Sequence, residues 1–186
     1  MSVRSAEEPG LSDADRRLIE NVARHGTHVV KVGSSRPTST PDWAFTIGLH
    51  HTFAHPEVVV FGLRPELAHT LLNDVCDLVG QGHRFEQGCV TDLVLSDLPC
   101  AFREVRPVWH HAYLGTMRWF YRGRPVPVVQ MFWPDREGRF PWEPAFDTVH
   151  SGEQPLLFHD DPSAAANAGF LAELEAEGRS PPPASG

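Results

Sequence analysis

The stretch from Glu57 to Leu63, EVVVFGL, constrains the fold more than any other part of the chain. Its apolar residues run on without alternation, so a strand here must be covered on both faces. Arg64-Pro65-Glu66 follows at once and opens a helix: proline suits the first helical position, and an acidic side chain suits the first turn. Leu67, Leu71, Val75 and Leu78 then recur at helical spacing as a core stripe, and Gly80 is the stop signal. A fully buried strand leading directly into an amphipathic helix requires a sheet with at least one helical layer on it.

The neighbouring segments supply the rest of that sheet. THVVKVG (27–33), WAFTIGLH (43–50), RFEQGCVTDLVL (84–95), CAFREV (100–105) and VPVVQMFW (126–133) all read as strands. SSRPTSTPD (34–42) is a loop by its Ser, Thr and Pro content, and SDLP (96–99) is a turn. A first helix starts at Ser12, where Asp15 completes a capping-box-like pattern, carries Leu18, Ile19, Val22 and Ala23 on one face, and stops at Gly26. WHHAYLGTMRWFYRG (109–123) reads as a further short helix. Strands and helices mix without a βαβ rhythm, which predicts an α+β fold: one domain, an antiparallel or mixed sheet, and two or three packed helices. That domain is expected over 12–158. Residues 1–11 read as a disordered leader, and 159–186 as an acidic surface helix followed by a Pro-rich disordered tail.

At 186 residues with 41% hydrophobic content, the chain has apolar side chains enough for a single core. A formal charge of −8 without any basic run argues against a nucleic-acid partner bound through its phosphates. No apolar stretch approaches the length of a membrane span, and the leader has no apolar region, so a cytoplasmic location with no membrane partner is expected. The cysteines are Cys76, Cys89 and Cys100, an odd number with no CxxC spacing, which speaks against a disulfide framework and a cysteine zinc site. Cys76 falls on the apolar face of the 65–80 helix. A nucleophilic role for Cys89 or Cys100 stays open, with nothing local to support it.

Three segments carry side chains suited to chemistry. HHTFAHPE (50–57) offers His50, His51 and His55 as candidate bases, with Glu57 able to orient an imidazole. Read as a strand end plus a loop, it points His50 and His51 to opposite faces. His50 and His55 are the candidate metal ligands, although a zinc site needs three or four converging groups. QMFWPDREGRFPWE (130–143) ends a strand in a tight turn and folds an aromatic lip back over the sheet. Gln130, Trp133, Asp135, Arg139 and Trp142 are its candidate contacts. In WHHAYLGTMRWFYRGR (109–124), Trp109 and Arg118 could stack on a planar ligand and pair with an anionic group. No Walker A, GxGxxG or GxSxG sequence is present.

Taken together, Thr46-Ile47-Gly48-Leu49, His55-Pro56-Glu57, Phe61-Gly62-Leu63, Gln130, Trp133-Pro134-Asp135, Gly138 and Pro141-Trp142 resemble a bacterial family of unknown function, numbered 4262, over roughly residues 13–143. The resemblance implies a small soluble cytosolic protein and no particular reaction. A shorter likeness, the TIGL and FGL strands with an acidic residue between them, is similar to bacterial suppressor-of-fused relatives, some regarded as immunity proteins against toxins.

Three functions follow as expectations. The first is a binding protein whose pocket or aromatic lip at strand ends takes a small ligand or a protein partner, in a toxin–immunity or stress setting. The second is a hydrolase or transferase with a histidine base oriented by Glu57 or Asp135. The third is a flavin- or nucleotide-binding barrel, which no phosphate-binding motif supports. A metal or flavin cofactor is compatible with the residues but not favoured by them. If the 50–57 loop and the 133–142 lip stand at the same end of the sheet, they form one pocket.

Overall fold

Ser12 starts the first helix, α1 (Asp13–His25), by the capping box its neighbours predict. Its hydroxyl accepts from the Asp15 amide at 3.2 Å, and the Asp15 carboxylate accepts from the Ser12 amide at 2.9 Å. Gly26 closes the helix with a left-handed φ of 84°. These details come from a computed structural model that describes residues 2–33, 41–96, 98–150, 152–161 and 164.

Six strands build one sheet: β1 (His28–Val32), β2 (Trp43–Ile47), β3 (Glu57–Phe61), β4 (Val90–Leu95), β5 (Leu98–Glu104) and β6 (Val128–Phe132), in the spatial order β1-β2-β3-β6-β5-β4. Only the central pair, β3 with β6, is parallel, its register aligning Glu57 with Val128; the other pairs are antiparallel. The sheet is therefore mixed and the fold is α+β. Every residue of β3 is buried, as its unbroken apolar run requires.

Alternating side chains split the core into two layers. Ala44, Val58, Val60, Phe102, Val129 and Met131 meet α3 (Pro65–Gly80) on one face. Trp43, Phe45, Ile47, Val59 and Phe61 meet α1 and two short helices, α4 (His110–Tyr113) and α5 (Gly115–Phe120), on the other. The fifth helix, α2 (Leu49–Phe53), is a single turn and a half between β2 and β3.

Several local expectations need correction. The 43–50 strand stops at Ile47, because Gly48 takes a φ of 110° and turns the chain into α2, so His50 and His51 are helical rather than strand residues. The buried stripe of α3 is Ala68, Leu71, Leu72, Val75, Cys76 and Val79, and Leu67 stays 40% exposed. β4 begins only at Val90, the turn at Gly88 having used the earlier residues. The 109–123 segment breaks at Leu114 into α4 and α5, preceded by a 3-10 turn at Pro107–Trp109. Residues 2–11, within the expected leader, lie against α5: Arg4 N–H donates to the Phe120 carbonyl at 3.1 Å, and Arg4 also pairs with Glu8. Most of the acidic-helix segment lies outside the described residues. Among those residues no helix is long and apolar enough to cross a membrane.

Candidate functional site: a histidine groove at one end of the sheet

The segment richest in histidine is anchored by a carboxylate. Glu57 is wholly buried at the start of β3, where burial of an ionised group requires partners. It has four: Oε2 accepts from the Thr46 hydroxyl at 2.6 Å, and Oε1 accepts from the amides of Gly48 at 2.9 Å and His50 at 3.1 Å and from the Tyr121 hydroxyl at 2.5 Å. The carboxylate thus caps the first turn of α2, whose own N-cap residue, Gly48, has no side chain to do so. Burial, and then the charge of Glu57, push the Tyr121 phenol far above its ordinary pKa, which keeps it a donor. No imidazole nitrogen is among Glu57's partners.

His55 is equally committed. Phe85 N–H donates to its Nε2 at 2.8 Å, so the proton sits on Nδ1, which donates to the Pro56 carbonyl at 2.6 Å. Both ring nitrogens serve the backbone, and burial holds the pKa below the usual imidazole value. His51 is exposed, and its amide donates to the Tyr121 oxygen. His50 is half-buried with its ring edge-on to Tyr121, and its Nδ1 has no hydrogen-bond partner among the described residues.

What this scaffold builds lies beside it. The turn at Gly48 butts against Gly26, so closely that a Cβ on Gly48 would stand 2.5 Å from the Gly26 carbonyl oxygen. Thr52 of α2 donates its hydroxyl to the same carbonyl at 2.7 Å. Glu57 therefore holds α2, α2 holds the Gly26-Thr27 link, and that link delivers His28 to the first position of β1. There a polar groove of about 460 Å3 opens between α1, β1 and α3, within the range of small-molecule sites. Asn21, His25 and His28 line one wall and His69, Asn73 and Asp77 the other.

Two of the histidines are set by asparagines. The Asn21 carboxamide NH2 donates to His28 Nδ1 at 3.0 Å, and that of Asn73 donates to His69 Nδ1 at 3.2 Å. An acceptor Nδ1 places the neutral ring's proton on Nε2, so each imidazole presents one N–H donor edge that has no partner among the described residues. Burial pushes the pKa of His28 down, and the proximity of His69 adds to it, so His28 is neutral at physiological pH. No lysine or arginine is among the described residues that line the groove.

The aromatic lip stands at the other end. Because β3 and β6 are parallel, the 50–57 segment precedes β3 while Trp133 follows β6, about 13 Å away at ~3.3 Å per strand residue. Trp133 Nε1–H donates to the Phe61 carbonyl at 2.8 Å, at the far end of β3. The two segments do not share a pocket. Gln130 is buried and ties down the returning chain, donating to the Pro155 carbonyl at 2.8 Å. Asp135 accepts from the amides of Glu137, Arg139 and Asp147 and from Arg139 Nε. Burial opposes its ionisation, yet the Arg139 and Asp147 amides and the Arg139 guanidinium outweigh that and hold it below the usual carboxylate range. It shapes the turn and orients no histidine.

Trp109 is fully buried, its indole N–H donating to the His159 carbonyl at 2.8 Å. Arg118 lies half-buried on α5, near enough to His110 to reinforce the lowering that burial imposes there. Trp142 stacks on Phe140 and takes the Arg103 guanidinium on its ring at 3.9 Å. Burial pushes Cys76 and Cys100 up to about 12 and raises Cys89 as well, so these thiols stay protonated. Among the described residues no group of three or more His, Cys, Asp or Glu side chains is placed to hold a metal ion.

The sequence profile of the family described as Domain of unknown function (DUF4262) matches residues 21–147. The chain belongs to this family. The DUF4262 match takes in the whole lining of the groove, from Asn21 to Asp77, as well as the Glu57 scaffold and the lip through Trp142. No curated protein and no solved structure matches the chain. The suppressor-of-fused likeness finds no support in these comparisons.

Sequence reasoning missed the groove because its walls come from α1, β1 and α3, which no local pattern connects. One signal was available: His28 and His69 each have an asparagine at a spacing that permits contact, seven residues before and four residues after.

Proposed function

We propose that this DUF4262 member is a binding protein whose ligand is a small, hydrogen-bonding molecule, uncharged or cationic, held in the groove between α1, β1 and α3. The observation that carries this reading is the pair of Asn-set imidazoles, His28 and His69, on opposite walls of one groove. Two fixed N–H donors, two carboxamides and the Asp77 carboxylate suit a polyol, a nucleoside or an amine. No lysine or arginine is among the described lining residues, so an anion would meet no permanent positive charge there. A hydrolase or transferase with its histidine oriented by Glu57 or Asp135 has less support, because both carboxylates are engaged with backbone amides, hydroxyls or a guanidinium.

The test is a thermal-shift and calorimetric screen of monosaccharides, nucleosides and polyamines against the protein and its Asn73→Trp variant, which fills the groove from the exposed face of α3. One class should stabilise the parent and leave the variant unmoved. No stabilisation by any class at millimolar concentration, or equal stabilisation of both proteins, would remove the reading.

A further inference from the structure

Arg103, the next-to-last residue of β5, pairs across the sheet with Gln130 of β6 and so emerges on the face covered by the chain beyond residue 139. There its guanidinium carbon lies over two aromatic rings set nearly at right angles to each other, 3.9 Å from the centroid of Trp142 and 4.7 Å from that of Phe158. Two ring contacts on adjacent sides restrain the guanidinium while leaving N–H groups on its other sides open. Those groups make no hydrogen bond or ion pair with any described residue. Five described arginines are matched to carboxylates: Arg4 and Arg122 with Glu8, Arg84 with Glu86, Arg106 with Asp160, Arg139 with Asp135. Arg103 has no acid among the described residues and is set instead by its two rings.

Beside it lies a cleft of about 120 Å3 lined by Gln87, Cys89, Val90, Ala101, Arg103 and Trp142 among others, with Arg103 the only charged one among its described lining residues. The Gln87 carbonyl oxygen is taken by the Glu104 amide, so the carboxamide turns its NH2 end outward as a second donor. At ~30 Å3 per water the space takes about four non-hydrogen atoms, enough for a carboxyl group and the first carbons of a short chain. Its walls combine a planar bidentate cation with apolar Val90, Ala101 and indole surface. We propose that this cleft, independent of the histidine groove, is a recognition site for a small aliphatic carboxylate, with Arg103 gripping both oxygens and the apolar walls taking the short chain.

The test is an NMR titration of the full-length protein with sodium butyrate, following the Arg103 Nε–H and Trp142 indole N–H signals, with n-butanol and inorganic phosphate as comparisons. Butyrate should move both signals saturably, while butanol and phosphate leave them in place. Arg103→Lys, which keeps the charge but loses the fork and the stacking, should weaken butyrate binding about tenfold or more. Silence of both signals with butyrate in the parent protein overturns the proposal without any variant. An equal response to phosphate, or undiminished binding by a folded Arg103→Lys, overturns it too, the first by reducing the site to charge attraction and the second by removing Arg103 from it.

Discussion

Removing the Glu57 carboxylate should cost this fold more than removing any other single polar group described above. In Glu57→Ala the part-buried amide of His50 loses its acceptor, the Gly48 amide keeps only the Tyr121 hydroxyl oxygen at 3.2 Å, and the hydroxyls of Thr46 and Tyr121 lose theirs. The hydroxyls can rotate toward other acceptors, but the two amides are fixed by the turn at Gly48. A stranded buried donor costs about 1–3 kcal/mol, so the His50 amide together with the weakened Gly48 amide accounts for roughly 2–4 kcal/mol. We expect about 3–5 kcal/mol, comparable with breaking a buried charged network, out of a total of about 5–15 kcal/mol for a domain of this kind. Glu57→Gln keeps the shape and one acceptor, and should cost about 1–3 kcal/mol. Tyr121→Phe removes one charge-assisted bond and the oxygen that accepts from the Gly48 and His51 amides, and should cost about 1–3 kcal/mol. Urea unfolding at 25 °C, read from the midpoint at constant slope, measures all three. A loss below ~1 kcal/mol in Glu57→Ala would refute the reasoning, because a carboxylate that dispensable is not the anchor of α2.

Acid should weaken the fold in a window set by buried imidazoles. His28, His55 and His110 are all depressed, chiefly by burial, so the unfolded chain binds protons first; stability holds above about pH 6.5 and falls as the pH drops through the folded-state values. A urea midpoint that stays level from pH 7.5 to 5 contradicts this. Gly48→Ala should cost about 2 kcal/mol or more, since a Cβ there meets the Gly26 carbonyl and the φ of 110° is strained for alanine; thermal unfolding reads it, and an unchanged midpoint would mean the turn is not held as described. Leu72→Ala should lose about 2–5 kcal/mol and Leu67→Ala under ~1 kcal/mol, and the reverse order in denaturant titrations would place the α3 stripe at the other register.

The elements that declared themselves were those with punctuation. Pro65 and Gly80 bound α3 at the residues where the helix begins and ends, and Ser12 with Gly26 does the same for α1. The apolar run of β3 correctly demanded cover on both faces. Gly48 was harder to read, because a glycine inside TIGLH interrupts neither the strand propensity before it nor the helix after it; its positive φ is a product of the Glu57 cap and the pressing Gly26 carbonyl. Glu57 itself was legible in principle, as an acid opening a strand buried on both faces has to be partnered. Arg103 was not, for its two ring partners arrive only when the chain beyond β6 folds back across β5. The groove likewise exists only in three dimensions.

His55 is built into the scaffold while His28 and His69 face the groove, and long-range proton–nitrogen NMR of the histidine rings tests that division directly. At pH 7.5 it should find His55 protonated on Nδ1 and His28 and His69 on Nε2. During titration with monosaccharides, nucleosides and polyamines, one class should shift the His28 and His69 rings together while His55 stays still. A His55 ring that responds to ligand while His28 and His69 do not would contradict the account and return the working face to the segment at residues 50–57.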